Sequence, residues 1–365
     1  MRQPAALPLV DALKAFACLT IVIHHLCFYG PLTDAARPWL PGLIDFLDVY
    51  GRMAVQVFLV VSGFLLAQKY LLAPVATLPL RAALQQRYVR LAAPYCAALL
   101  LAVACNALAG QWMQHPSLSA PPDGAQLLAH VLLLQDLLDV EALSAGVWYV
   151  AIDFQLCALA LGMLWLARRL GAADGGVMLL WAMTLLSMFY FNLDPRWDET
   201  AFYFFAAFGL GMLGAWAARR RHGLWWLALL AACAGAALLV QFRPRLALAL
   251  AVTLLLAWGS RQGFLHTLPL PSAITRLSQV SYSVFLAHFP LSLLMNAIGV
   301  TLFADSPLGQ SLWALAAVAV SVAGGVAFDR ALNALRRAGR LHALPPASAL
   351  AAAMCPRWGG LKVPP

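Results

Sequence analysis

Apolar stretches of about 17 to 24 residues recur along the whole chain, at 8–30, 50–72, 91–110, 146–168, 177–193, 201–218, 224–242, 244–260, 279–302 and 311–333. Each is long enough to cross a hydrocarbon core of about 30 Å as a helix. In lipid every backbone group must be satisfied within the protein, so a continuous apolar run of this length folds as a helix. The chain therefore reads as an all-α integral membrane protein with about ten transmembrane helices. Composition agrees: 63% of residues are hydrophobic and 11% charged, against roughly 25% charged in a soluble domain. Only Arg243, Pro244 and Arg245 interrupt the apolar sequence between the seventh and eighth stretches. Residues 127–138 are apolar but too short to span, and read as an interfacial or re-entrant piece.

Ten crossings put both termini on one side, and basic residues say which. One set of loops and ends carries most of them, including Lys69, Arg81, the runs Arg168–Arg169 and Arg219–Arg221, Arg336 and Arg337. The other carries only Arg37, Arg52, Arg196, Arg243 and Arg245, with most of the acids. The positive-inside rule makes the termini cytoplasmic, giving a multi-pass protein of the cell (inner or plasma) membrane, N-in and C-in. The domain reading is one membrane-embedded unit at 1–333 and a basic, flexible cytoplasmic tail at 334–365. The net charge of +9 follows from this bias and points to anionic lipid head groups, not nucleic acid. The first apolar run is full length and charged, so it is expected to be retained and not cleaved. Seven cysteines without a CxxC suggest neither disulfides nor a metal site. Cys18, Cys157 and Cys233 read as small buried apolar residues.

Two ionisable side chains interrupt the first span. Lys14 and His25 are eleven residues apart, and eleven steps of about 100° come within about 20° of three turns, placing both on one face, about 16 Å apart. Asp11, Cys18, Ile21 and Phe28 complete the stripe, while His24 projects about 100° away from His25. Ionisable groups inside a span face the protein interior or a wet cavity and are functional candidates. Lys14 alone is open to a second reading, snorkelling to the inner surface beside Asp11. His25 has no acidic residue within one turn, and His24 reads as a neighbour that holds it.

Four more segments carry chemistry. Arg87 and Arg90, followed by Pro94, lie on adjacent turns entering the third span and suit either phosphate or lipid head groups. In Gln56-Val-Phe-Leu-Val-Val-Ser62-Gly63-Phe64, Ser-Gly permits close approach of another backbone. Gln56 shares a face with Gly63, with Arg52 one turn before, which suggests a polar ladder. Trp148 opens the fourth span, with Asp153 and Gln155 inside it. A carboxylate there must be paired or protonated, so Asp153 is expected to partner a buried His or Lys, the alternative being an arginine from a neighbouring helix. The ninth span puts Ser281, His288 and Ser292 on one stripe, with Pro290 freeing a carbonyl one turn earlier.

Taken together, these segments resemble the acyltransferase-3 family of integral membrane acyltransferases, which include O-acetyltransferases. Lys14-x10-His25 looks like that family's basic-x10-His signature. Gln56 to Phe64, Arg87-x-x-Arg90 with Pro94, Trp148 to Gln155, and Ser281-Tyr-Ser-Val-Phe-Leu-Ala-His288-Phe-Pro290 follow in order. The resemblance implies transfer of an acyl group, most often acetyl, from cytoplasmic acetyl-CoA to a hydroxyl of an extracytoplasmic or membrane-associated carbohydrate or glycolipid, as in polysaccharide modification of the cell envelope. It implies that His25 is the catalytic histidine, with Lys14 the other half of the signature, and that Arg87 and Arg90 help hold the donor. Many members have an acid where this chain has Gln56, and a Glu-Glu pair at Asp153-Phe154, so an acid role transfers only to Asp153.

The residues suit that chemistry. A neutral imidazole can take the proton of an alcohol near neutral pH, either for direct attack or while itself carrying the acyl group in two steps. A lysine three turns away cannot touch the same atom, so Lys14 is expected near the donor's inner end and His25 at the transfer point. His24, Gln56, Ser62, Trp148, Gln155, Ser281 and His288 are candidate substrate-binding or structural polar residues. The alternative functions are a transporter or exporter of a small or lipid-linked solute, for which charges near the midplane bind or relay protons, and a non-catalytic scaffold.

Overall fold

The computed structural model describes residues 6–72, 78–172 and 174–338. Among these no strand occurs, and the chain runs through α1 (Pro8–Tyr29), α2 (Pro31–Ala36), α3 (Pro41–Tyr50), α4 (Val55–Leu66), α5 (Leu80–Ala109), α6 (Gly124–Val131) and α7 (Trp148–Arg169), then α8 (Gly175–Phe189), α9 (Ala201–Ala218), α10 (Gly223–Val240), α11 (Pro244–Gln262), α12 (Phe264–Thr267), α13 (Ser272–Leu302) and α14 (Pro307–Arg337). Nine helical stretches of the described residues are long and apolar enough to cross a membrane. The remaining expected span is α11, a helix of 19 residues with Arg245 and Arg261 near its ends. The chain is a multi-pass, all-α membrane protein.

Several helices outrun their apolar cores. The second span is one stretch from Pro41 to Leu71, because a single 3-10 turn at Gly51–Ala54 joins α3 to α4. The third begins at Leu80 and not at 91, since Arg81, Arg87 and Arg90 lower hydropathy without interrupting the helix. Likewise α14 continues to Arg337, so 334–337 are helical and not tail; most of the expected tail, 339–365, lies outside the described residues.

The segment after α5 turns back into the bundle. The Tyr88 hydroxyl donates to the Val131 carbonyl at 2.7 Å, although Tyr88 lies roughly 30 Å along α5 before its end. Around that contact Leu127, Leu128, Val131, Leu132, Leu137 and Leu138 are exposed. A piece that returns to Tyr88 of α5 and bares leucines fits the re-entrant reading.

Helix α9 is the hub: every residue but Phe202 is buried. It packs on α4 through a reciprocal pair of glycines. A Cβ on Gly63 would collide with the Phe208 carbonyl oxygen, and one on Gly211 would collide with that of Val60. Small residues that let backbones approach this closely replace the hydrophobic drive that is missing between helices in lipid. We expect Gly63→Val and Gly211→Val to cost about 1–3 kcal/mol or more through overpacking, read as a lowered melting temperature of the purified protein in detergent. Gly235→Ala in α10, where an added Cβ meets nothing within 4 Å, should be neutral or slightly stabilising.

Candidate active site

The polar stripe of α1 faces α13 and bonds to it along most of its length. Ser278 Oγ donates to the Asp11 carboxylate at 2.6 Å, Lys14 Nζ donates to the Ser278 carbonyl at 2.9 Å, and Cys18 Sγ donates to the Ser281 carbonyl at 3.6 Å. At the far end His25 Nδ1 meets His288 Nε2 at 2.8 Å, with the two rings nearly parallel, 13° apart, and their centroids 5.0 Å apart. Phe28, expected on the same stripe, is exposed.

The hydrogen bonds of His288 fix the tautomers of both rings. His288 Nδ1 lies 2.7 Å from the Phe285 carbonyl oxygen and 3.2 Å from that of Val284. A carbonyl only accepts, so Nδ1 carries the proton and Nε2 of the neutral ring is an acceptor. His25 Nδ1–H must then donate to it, which leaves His25 Nε2 with a lone pair. The ring of His25 is walled by Tyr29 and Phe289, each edge-on. Gly146, with φ +84°, closes against it: a Cβ there would lie 3.3 Å from His25 Cε1. His24 holds the helix by a different contact, its Nδ1–H donating to the Leu47 carbonyl at 2.9 Å.

A second cluster lies towards the Lys14 end. Arg87 Nη2 donates to the Asp153 carboxylate and, at 2.9 Å, to Ser62 Oγ, which itself donates to Asp153 Oδ1 at 2.7 Å. Lys14 and Arg90 are within electrostatic range of each other. The Tyr282 hydroxyl donates to the Leu91 carbonyl at 2.9 Å, one turn before Pro94. Beside this cluster a cleft is lined by Lys69, Gln86, Arg87 and Arg90 over an apolar floor that includes Leu161. The clustered rings of Phe58, Tyr149 and Phe285 tie the two ends together, with Phe285 5.9 Å from His288.

Of the two partners open to Asp153, the structure shows the arginine. Asp153 meets neither His25 nor Lys14, because α4 and α5 bring Ser62 and Arg87 to it first. Arg87 is correspondingly turned inward, so a phosphate grip shared equally by Arg87 and Arg90 is not what the geometry offers. The ladder from Arg52 through Gln56 to Gly63 does not form: Arg52 is exposed, and Gln56 lies in a separate cleft with Arg245. Trp148 stacks on Phe204 at 5.2 Å. Gln155 Nε2 is buried without a partner among the described residues. Ser281 Oγ bonds back to the Ser278 carbonyl, and Ser292 Oγ to that of Phe289. Sequence reasoning missed Gly146, Tyr149, Phe58 and Tyr282. Only the glycine left a signal, in the turn just before the Trp148 helix.

The structure is a polytopic helical membrane bundle with a buried imidazole pair at one end and a cationic cleft at the other. The family model described as an acyltransferase domain, acyltransferase-3, matches residues 8–330. The chain belongs to that family and is a membrane acyltransferase. Neither the curated proteins nor the solved structures compared with it include a match.

Removing one partner of a buried ion pair costs about 3–5 kcal/mol, whereas replacing both with apolar groups is close to neutral. Asp153→Ala should therefore sharply reduce the yield of monodisperse protein. The double variant Arg87→Met with Asp153→Leu should recover most of it, and Ser62→Ala should lose only about 1 kcal/mol. Equal yields of Asp153→Ala and the wild type in size-exclusion chromatography would contradict a structural pair.

Proposed function

We propose that the protein transfers an acetyl group from cytoplasmic acetyl-CoA to a hydroxyl of an extracytoplasmic or membrane-associated carbohydrate or glycolipid. The observation that carries this reading is the bond chain from the Phe285 carbonyl through His288 to His25, which leaves Nε2 of His25 free to accept a proton. Lys69 and Arg90 in the inner cleft, with Arg87 behind them, suit the phosphates of the donor. The acyl arm would run past the Phe58, Tyr149 and Phe285 rings towards His25.

In this mechanism His25 Nε2 takes the proton of the acceptor hydroxyl as its oxygen attacks the thioester carbonyl. The new C–O bond forms, the tetrahedral intermediate collapses with loss of the C–S bond, and the departing thiolate takes the proton back from the His25 imidazolium. His288 shares the transient positive charge through the Nδ1–H bond. Lys14, three turns below, acts at the donor end and does not reach the reacting carbon.

His25→Ala should lower transfer of label from acetyl-CoA in membranes by about 10²–10⁴-fold while the protein still accumulates. His24→Ala should do much less, since its bond is to Leu47. His288→Ala should lose a large part of the rate, and His288→Gln, which can still accept from His25 Nδ1, should recover some of it. Because the base must be neutral, activity should rise with pH through its pKa and be lost on acidification. Full activity in His25→Ala, or equal losses in His24→Ala and His25→Ala, would overturn the assignment.

The proposal needs the donor inside and the acceptor outside. Cysteine placed at exposed Ala120, in a background without reactive native cysteines, should react with an impermeant thiol reagent on intact cells. Cysteine placed at exposed Ala82, near the start of α5, should react only after the membrane is opened. The reverse pattern would exclude transmembrane acetylation.

A further inference from the structure

A second, shallow cleft lies between α4, α9 and α11, lined by Gln56, Asn192, Tyr203, Phe204, Arg245 and Leu246 among others. It is unusual in its charge. Arg243, only 5% exposed, donates to the carbonyls of Met188 and Gln241, to the Ala237 carbonyl and to Asn192 Oδ1. Arg245 lies over the Tyr203 ring at 4.4 Å and donates to the Asn192 carbonyl at 3.3 Å. Among the described residues neither arginine makes an ion pair. Asp198 reaches Tyr203 only through longer-range electrostatics. Arg245 lines the cleft half-buried and Arg243 lies buried beside it; held by neutral acceptors and not by a carboxylate, such guanidinium groups keep their attraction for an anion.

Gln56 supplies the second observation. Its side chain is 7% exposed, lines the cleft, and has no hydrogen-bond partner among the described residues. An amide facing the cleft without a protein partner, in the same lining as a guanidinium without a carboxylate, offers both the charge and the neutral donor that an oxyanion takes. The cleft also adjoins the N-terminal end of α11, the positive end of a 19-residue helix dipole.

The cleft opens near the His25 end of the bundle. Gly51, just before α4, packs on His24, and Gln56 follows about 7–8 Å further along the chain's rise. Phe204 of the cleft stacks on Trp148, two residues from the Gly146 that closes on His25. We propose that this cleft binds an acidic group, a carboxylate or phosphate, carried by the acceptor whose hydroxyl is acylated. The acceptor assignment rests on the function proposed above; the anion site stands on its own geometry.

The test uses purified full-length protein in detergent without donor, and follows its melting temperature with sodium phosphate or sodium acetate against sodium chloride at equal ionic strength. We expect a saturable stabilisation by at least one of the two anions. Its midpoint should weaken about tenfold or more in Arg245→Gln and in Gln56→Leu. Arg196→Gln, at an exposed arginine of the same end paired with Asp194, should behave as the wild type. No anion-specific shift in the wild type, or an unchanged midpoint in both cleft variants, would overturn the site. Repeating the titration in nanodiscs separates the sources: phosphatidylglycerol raising the midpoint over phosphatidylcholine would assign the cleft to a lipid head group and overturn the acceptor. Labelled acetyl transfer is measured on the same preparations. Transfer without an anion shift would remove the site and keep the enzyme, whereas an anion shift without transfer would keep the site and remove the enzyme reading.

Discussion

The polar seam between α1 and α13 holds the candidate site together. Asp11, Lys14, Cys18 and His25 come from the first helix, and Ser278, Ser281 and His288 from one more than 250 residues later; four hydrogen bonds join them. In hydrocarbon a polar side chain without a partner is expensive, so each of these groups depends on the other helix being in register. A shift of α13 by one turn, about 5.4 Å, would leave both imidazoles unpaired. The seam thus acts as a ruler that sets how far apart the ends of the site stand.

The same cost explains why the two ends of the bundle differ. Towards the Lys14 end, Arg87, Asp153 and Ser62 close on one another, so a buried cation and anion cancel before any ligand arrives. Lys69 and Arg90 remain on the cleft beside them, which gives that end a net positive character suited to phosphates. At the His25 end Arg243 and Arg245 are held by carbonyls and an aromatic ring, not by acids. Neutral acceptors spread the guanidinium charge without cancelling it, so attraction for an anion survives.

Much of this was legible in the sequence because membrane folding forces residues to declare themselves. Apolar runs of fixed length gave the helices, and the eleven-residue interval from Lys14 to His25 gave the shared face, since both follow from a helix repeat that lipid does not relax. Pairing was harder. That Asp153 meets Arg87 and not His25 depends on how α4, α5 and α7 rotate about one another, which one-dimensional periodicity does not encode. The helix starts at Leu80 and Pro41 were hidden for a related reason: hydropathy measures where lipid stops, while a helix continues for as long as its backbone bonds do. Gly146 and the aromatic cluster left little trace, because their roles arise only when distant segments meet.

The partner of His25 is itself an imidazole, and that choice governs how the site holds charge. A carboxylate beside the base would fix its tautomer equally well and stabilise the imidazolium more strongly, but it would place a permanent anion among Phe285, Phe289 and Tyr29. A neutral His288 orients the ring without that desolvation cost and leaves the resting site uncharged. In the mechanism proposed above the imidazolium exists only during transfer, when His288 and the carbonyls behind it can polarise along the bond chain. Such an arrangement makes the base weaker than one paired with a carboxylate, and a weak base gives its proton back readily to a departing thiolate. In the proposed mechanism, fast return of the proton to the leaving group favours completed transfer over a stranded charged intermediate.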